Sequence, residues 1–337
     1  NNDNDNDNNN DKDNDNDNSD ISDSDSEKIS DNNKHDLGES GFDDITINLD
    51  KKYSSSKLGF QLESKLDDTL YTIGEYNNNQ THKRLSFCST CMKRFSQIRE
   101  TLPVNLKDNI NEKDIIEFVV IDFGTEGLYE WVYYNFKWAL EIGYLRYLRT
   151  DKLENWHASI AKNTSHCYAR GNILVNLDCD NFTGYQGGLH VINIFDKYGE
   201  HIMFHQWSGV SKDGTYGRIS CHRNIFFKLG GYDENFLPMG YQDHDLIMRY
   251  TNLLGKNNFI SYNNIRLIKE DHRFFVKNRY AKAIENDKGK SMKNTSFNGK
   301  MTWSTMNKIN QYRSHQNITR GILKSNTRHP YLGIKIY

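Results

Sequence analysis

The stretch Ile115-Ile116-Glu117-Phe118-Val119-Val120-Ile121-Asp122 decides the fold. Apart from its two acids it is wholly β-branched or aromatic, and a continuous apolar run of this length reads as a strand buried on both faces. A second such run is Asn172–Leu177. Around them the period of the chain alternates. Arg84–Ser89 is short and apolar, Met92–Leu102 has helical spacing, Leu128–Ile142 is an aromatic-rich helix, Leu145–Thr150 a strand and Ala158–Ala169 a helix. Strands alternating with helices predict an α/β fold, a mostly parallel Rossmann-like sheet with helices on both faces.

Outward from this core the composition changes. The first 20 residues of the 337 are ten Asn and eight Asp, broken only by Lys12 and Ser19. Nothing there repays the entropy of ordering, so residues 1–36 are expected to form a disordered acidic tail. Residues 37–83 read as a linker with room for one hairpin, and 84–275 as the organised domain. Residues 276–337 read as a basic C-terminal extension: from Arg273 onward 14 Lys and Arg face only Glu285 and Asp287. That stretch suits either a solvated tail or a lid over an anionic ligand. The formal net charge of −2 hides this division, since residues 1–36 hold 13 acids against three Lys, leaving the rest of the chain basic by eight.

No run of 18 apolar residues and no signal-peptide pattern is visible, so no membrane span is expected. Five cysteines, an odd number, fit a reducing compartment. Cys88-Ser89-Thr90-Cys91 has the spacing of a redox or zinc pair, but Cys167, Cys179 and Cys221 are scattered, and two small apolar side chains at a strand end explain the pair as well. The sequons at Asn163 and Asn181 fall inside the proposed site, where a glycan would block it; this points to a cytoplasmic location.

In parallel sheets ligands sit beyond the carboxyl ends of the strands. Those ends supply Ser89-Thr90, then Asp122, then Asp178-Cys179-Asp180. Residues i and i+2 of a strand face the same way, so Asp178 and Asp180 are placed to share a target such as Mg²⁺ or Mn²⁺. A turn-forming pair is the plain alternative. Downstream, Gly240-Tyr241-Gln242-Asp243-His244-Asp245 leads into an apolar helical pattern, which puts Asp243 and Asp245 in a helix's first turn. They serve there as N-cap and dipole-complementing acid, or Asp243 is a general base. If it only caps, Asn would replace it at little cost.

These residues carry a family resemblance. The segments Ser86–Arg94, Phe118–Asp122, Ala161–Asn163, Asn176–Gly184 and Gly230–Leu246 follow one another in the order and spacing of GT-A-fold glycosyltransferases of family 2, with a C-terminal part similar to β-1,4-galactosyltransferases. The resemblance covers about residues 84–275. It implies transfer of a sugar, with inversion, from a nucleotide-sugar (a UDP-sugar) to a glycan or glycoprotein hydroxyl. Thr90, Asp122, Lys162, Asn163 and Asp178 would bind the nucleotide-sugar. Asp178, Asp180 and His272 would hold Mn²⁺ or Mg²⁺, and Asp243 would be the base. Gly240, Tyr241, Gln242 and Asp245 would contact acceptor or sugar. The family often has Glu where Gln242 stands, which keeps open a non-catalytic glycan-binding protein on the same fold. The basic C-terminal stretch raises a nucleic-acid-modifying protein as a third reading. No nucleic-acid partner is expected, because no recognised binding module is present.

Overall fold

A computed structural model describes residues 70–72, 83–207, 214–261, 301–330 and 332–337. The chain divides into two units, Asn1–Ser54 and Ser55–Tyr337, and every described residue belongs to the second. The expected tail, most of the linker, residues 276–300 and His272 lie outside the described residues.

The elements run β1 (Leu70–Thr72), β2 (Lys83–Cys91), α1 (Phe95–Asp108), β3 (Ile116–Asp122), α2 (Leu128–Glu141), β4 (Leu145–Arg149), α3 (Ala158–Tyr168), β5 (Gly171–Asn176) and α4 (Gly187–Tyr198). There follow β6 (Met203–His205), β7 (Ile219–His222), α5 (Arg223–Lys228), α6 (Gln242–Leu254), β8 (Phe259–Ser261), α7 (Trp303–Thr319), β9 (Arg328–Pro330) and β10 (Lys335–Ile336). Eight strands form one sheet in the order β10-β4-β3-β2-β5-β7-β6-β8. Only β7 and β10 run against the other six. The expected α/β fold, mostly parallel with helices on both faces, is therefore the observed one.

The run Ile116–Asp122 shows how the sequence builds the two faces. Ile116, Phe118 and Val120 point into a core covered by α1, α2 and α4. Val119 and Ile121 point into the other, covered by α3, α5 and α6. Phe118 stacks on Phe87 at 4.8 Å between ring centroids, and burying a side chain of this size stabilises by about 1.5–3 kcal/mol. The first of the two acids in this run, Glu117, is fully buried; its carboxylate accepts from Ser86 Oγ at 2.6 Å and from Arg170 Nε at 2.7 Å. A buried carboxylate without such partners would be costly.

The same alternation separates the Cys88 and Cys91 side chains. Three residues apart on one strand, they enter opposite cores. All five cysteines are free and buried. The thiol that Cys91 meets, by a hydrogen bond, is Cys179.

Two features of the topology position the site. First, β7 inserts antiparallel beside β5, so the residues entering β7 lie against the carboxyl end of β5. Second, α7 packs against α6. Its buried stripe is Met306, Asn310 and Ser314, one residue per turn and mostly polar. Beyond α7, β9 pairs with β1 and β10 pairs with β4 at the sheet edge.

Candidate active site

Lys162 is the centre of the constellation. It lies on α3, is buried, and its Nζ donates to Asp243 Oδ1 at 2.6 Å with Asp178 Oδ1 at 3.8 Å. The ammonium also sits 5.3 Å from the ring centroid of Tyr232. Burial works against this charge, but Asp178 and Asp243 outweigh it, and the Lys162 pKa lies above its ordinary value. Asp243 shows the reverse balance. Burial raises its pKa, Lys162 opposes, Asp178 adds to the rise, and the net result is above the ordinary carboxylate value. A carboxylate that holds a proton somewhat more tightly is a stronger base once ionised.

Gly217, at the entry to β7, faces all three groups. Its carbonyl accepts from Asn176 Nδ2 at 2.8 Å, and the same Nδ2 reaches Asp178 Oδ1 at 3.2 Å. A Cβ on Gly217 would stand 3.0 Å from Asp178 Oδ2, 3.1 Å from Lys162 Nζ and 3.3 Å from Asp243 Oδ2. The missing side chain therefore leaves a notch with two carboxylate oxygens and an ammonium on its wall. Nothing in the sequence marks Gly217, because its importance comes from an antiparallel strand that the alternating pattern does not announce.

The helix-capping alternative for Asp243 is not what the structure shows. The cap of α6 is Tyr241, in the left-handed conformation at φ 64°, and no side chain caps it by a hydrogen bond. Gly240 before it has φ +96° and rests on α7, where a Cβ would lie 2.8 Å from Asn307 Cβ. This strained entry is held from outside: Asn310 Nδ2 on α7 donates to Gly240 O at 2.8 Å, and Tyr241 Oη meets His315 Nε2 at 3.0 Å.

The remaining expected site residues fall in several places. Asp245 is fully buried and spends both oxygens on the protein, accepting from Arg249 Nε at 2.7 Å and from Ser314 Oγ at 2.7 Å. Asn163 is likewise buried; it accepts from Tyr232 N at 2.8 Å and donates to Tyr232 O at 2.8 Å and Glu234 Oε1 at 2.7 Å, so its amide holds the loop before α6. Asp122, at the carboxyl end of β3, accepts from Thr125 N at 2.7 Å and Tyr147 Oη at 2.5 Å. Thr90 is buried near the end of β2, opposite Ile121. Gln242 is buried, with Nε2 3.5 Å from Asp243 Oδ2, while its Oε1 has no hydrogen-bond partner.

Asp178 and Asp180 diverge. Strand β5 ends at Asn176, and the chain turns at Asp178–Asn181, where Asn181 N donates to Asp178 O at 2.9 Å. The i, i+2 rule of strands no longer applies in that turn. Asp178 faces Lys162 and the notch, whereas Asp180 accepts from Asn181 Nδ2 at 2.8 Å and lies 3.2 Å from Arg94 NH1. Among the described residues no three His, Cys, Asp or Glu side chains are grouped to hold a metal ion. Of the two expected carboxylate ligands, only Asp178 presents an oxygen, Oδ2, to the notch, while Asp180 is engaged by Asn181 and Arg94. Mg²⁺ and Mn²⁺ take one or two carboxylates and fill the shell with water and phosphate oxygens.

No family model and no curated protein sequence matches the chain. Solved structures do resemble it. Residues 1–349 of TarS from S. aureus match at a TM-score of 0.42 and 12% identity over 54% of this chain and 58% of that one. A mannosyltransferase from Pyrobaculum calidifontis, in complex with GDP-Man and Mn²⁺, matches at 0.41 and 15% over 65% of each chain. Glucosyl-3-phosphoglycerate synthase from Mycobacterium tuberculosis, with Mn²⁺, UDP and glucosyl-3-phosphoglycerate, matches at 0.36 and 16% over 57% of this chain and 73% of that one. The first two are thus matched over less than two thirds of their own length. Among the described residues, no helix is long and apolar enough to cross a membrane.

Proposed function

We propose that the chain is a GT-A-type glycosyltransferase that moves a sugar from a nucleotide-sugar, UDP-linked, to a hydroxyl of a glycan or glycoprotein with inversion. The observation that carries this reading is the notch at Gly217, where Asp243, Lys162 and Asp178 converge beside the carboxyl end of β5. Lys162 engages Oδ1 of Asp243 and so fixes the carboxylate with Oδ2 toward the notch. That oxygen takes the proton of the acceptor hydroxyl. The hydroxyl oxygen bonds to the anomeric carbon while the bond from that carbon to the diphosphate oxygen breaks, and the diphosphate leaves with the electron pair. Lys162 stands where it offsets the growing negative charge. A divalent cation held at Asp178 would supply Lewis-acid stabilisation of that leaving group. Positioning and charge stabilisation are the main demands, with base action contributing roughly 10²- to 10⁴-fold.

The test is nucleotide release from a panel of UDP- and GDP-sugars with Mn²⁺, Mg²⁺ or chelator. Metal-stimulated release lost in Asp243→Asn supports the reading. Saturable glycan binding without release from any donor would instead favour a non-catalytic glycan-binding protein.

A further inference from the structure

Beside the notch runs a continuous row of rings contributed by four separate parts of the fold. Trp207 follows β6, Tyr216 precedes Gly217, Tyr241 and His244 open α6, and His315 stands on α7. Successive centroids lie 5.3 Å apart for Trp207 and Tyr216, 6.3 Å for Tyr216 and His244, 4.9 Å for His244 and Tyr241, and 5.9 Å for Tyr241 and His315. Hydrogen bonds fix the row. Tyr216 Oη meets His244 Nδ1 at 2.7 Å, and Tyr241 Oη meets His315 Nε2 at 3.0 Å. None of the five side chains is buried, and the two imidazoles are exposed.

We propose that this row is an elongated acceptor groove that binds an uncharged oligosaccharide, with sugar faces on successive rings and one terminal hydroxyl delivered to Asp243 Oδ2. The proposal rests on the glycosyl-transfer reading and adds the class of acceptor to it.

Three observations support it. The row touches the reacting position, because Tyr216 adjoins Gly217 and His244 adjoins Asp243. Its polar atoms are hydroxyls and imidazole nitrogens, which both donate and accept, as sugar hydroxyls do. Rings with an apolar face and a polar tip suit a ligand with a C–H face and a hydroxyl rim. Third, Gln242 Oε1 is a buried acceptor without a donor, next to Asp243. A group of this kind gains from a ligand hydroxyl.

The absence of charge in the ligand follows from the neighbours. Among the described residues no Lys or Arg belongs to the row, and the carboxylates of Asp243 and Asp178 repel an acidic sugar. Desolvation of the part of His244 packed against the fold, with His315 adding and Asp245 opposing, sets its pKa below the ordinary value.

The experiment uses the full chain and measures binding apart from turnover. Cellotetraose, maltotetraose, mannotetraose and chitotetraose are titrated against tryptophan fluorescence, with tetragalacturonate as the acidic counterpart, and UDP affinity is recorded in parallel. At least one neutral tetrasaccharide is expected to bind, and Trp207→Phe should remove the fluorescence change. The double variant His244→Ala/His315→Ala should weaken binding by about tenfold, the worth of two stacking and hydrogen-bonding contacts. Its UDP affinity should stay within about twofold. Tyr241→Leu, which keeps apolar bulk without a ring, should weaken binding as well. No binding of any neutral tetrasaccharide, tighter binding of tetragalacturonate, or unchanged binding in the double variant would each overturn the proposal. Sugar binding without nucleotide release from any donor would leave the groove standing and remove the transferase reading.

Discussion

Replacing Asp243 by Asn separates chemistry from architecture, and its cost can be worked from the contacts. The residue does not cap α6, so the near-equivalence of Asn and Asp as caps gives no protection. What changes is the pairing of the buried Lys162 ammonium. Asn still offers an oxygen to Nζ, and that bond from the ammonium stays charge-assisted at about 1.5–3 kcal/mol; what is lost is one of the two counter-charges. Lys162 keeps Asp178 at 3.8 Å and the Tyr232 ring at 5.3 Å. The loss therefore stays well below the roughly 3–5 kcal/mol of a pair broken outright. Relief of the burial that raises the Asp243 pKa offsets part of it. A net loss of about 1 kcal/mol lowers Tm by roughly 2–4 °C in a body of this size. Transfer should fall by roughly 10²-fold or more, with UDP affinity little changed. Thermal melts, UDP titration and nucleotide release measure the three quantities. Transfer within twofold of wild type would move the base to another carboxylate, and unchanged Tm would mean that the Lys162 contact contributes nothing to stability.

Other perturbations read other parts of the site. The activity should rise with pH through the raised pKa of Asp243, because only the ionised carboxylate accepts a proton. Lys162→Met removes the opposing charge and should move this acid limb upward by roughly 1–3 pH units; a pH–rate profile with an unmoved limb would refute the assignment. Gly217→Ala should lower Tm, because a methyl at 3.0–3.3 Å forces the buried Lys162 and its two carboxylates to shift, and reduce transfer more than about tenfold by filling the notch; wild-type rates would show that no substrate atom enters there. Asp245→Asn is the structural counterpart: it strips the counter-charge from the buried Arg249 and should cost about 3–5 kcal/mol, read as a large fall in Tm, while the folded protein keeps donor affinity.

The decisive strand was legible because its apolar content is continuous and both faces of the sheet are covered. The position of Asp243 at the start of a helix was legible too, from the apolar spacing that follows it. Its partner was not. Lys162 and Asp243 are 81 residues apart, and no pattern in either segment encodes the pairing. The contact of α7 on α6 escaped for a different reason. Sequence reading relies on apolar stripes, and the face of α7 that meets α6 is Met306, Asn310 and Ser314. Asp245 illustrates the same limit, since a carboxylate in a first turn looks solvent-facing until Ser314 and Arg249 are seen around it.

The grip of Asn310 on Leu237 and Gly240 spans 73 and 70 residues of sequence. At about 5–20 residues per second of ribosomal synthesis, the loop that aims Asp243 exists for roughly 4–14 s before its clamp is made. A growing chain thus acquires its carboxylates and lysine early and the means to orient them late. On the proposed mechanism, transfer waits for α7, and a chain lacking the Asn310 contacts is expected to lose it.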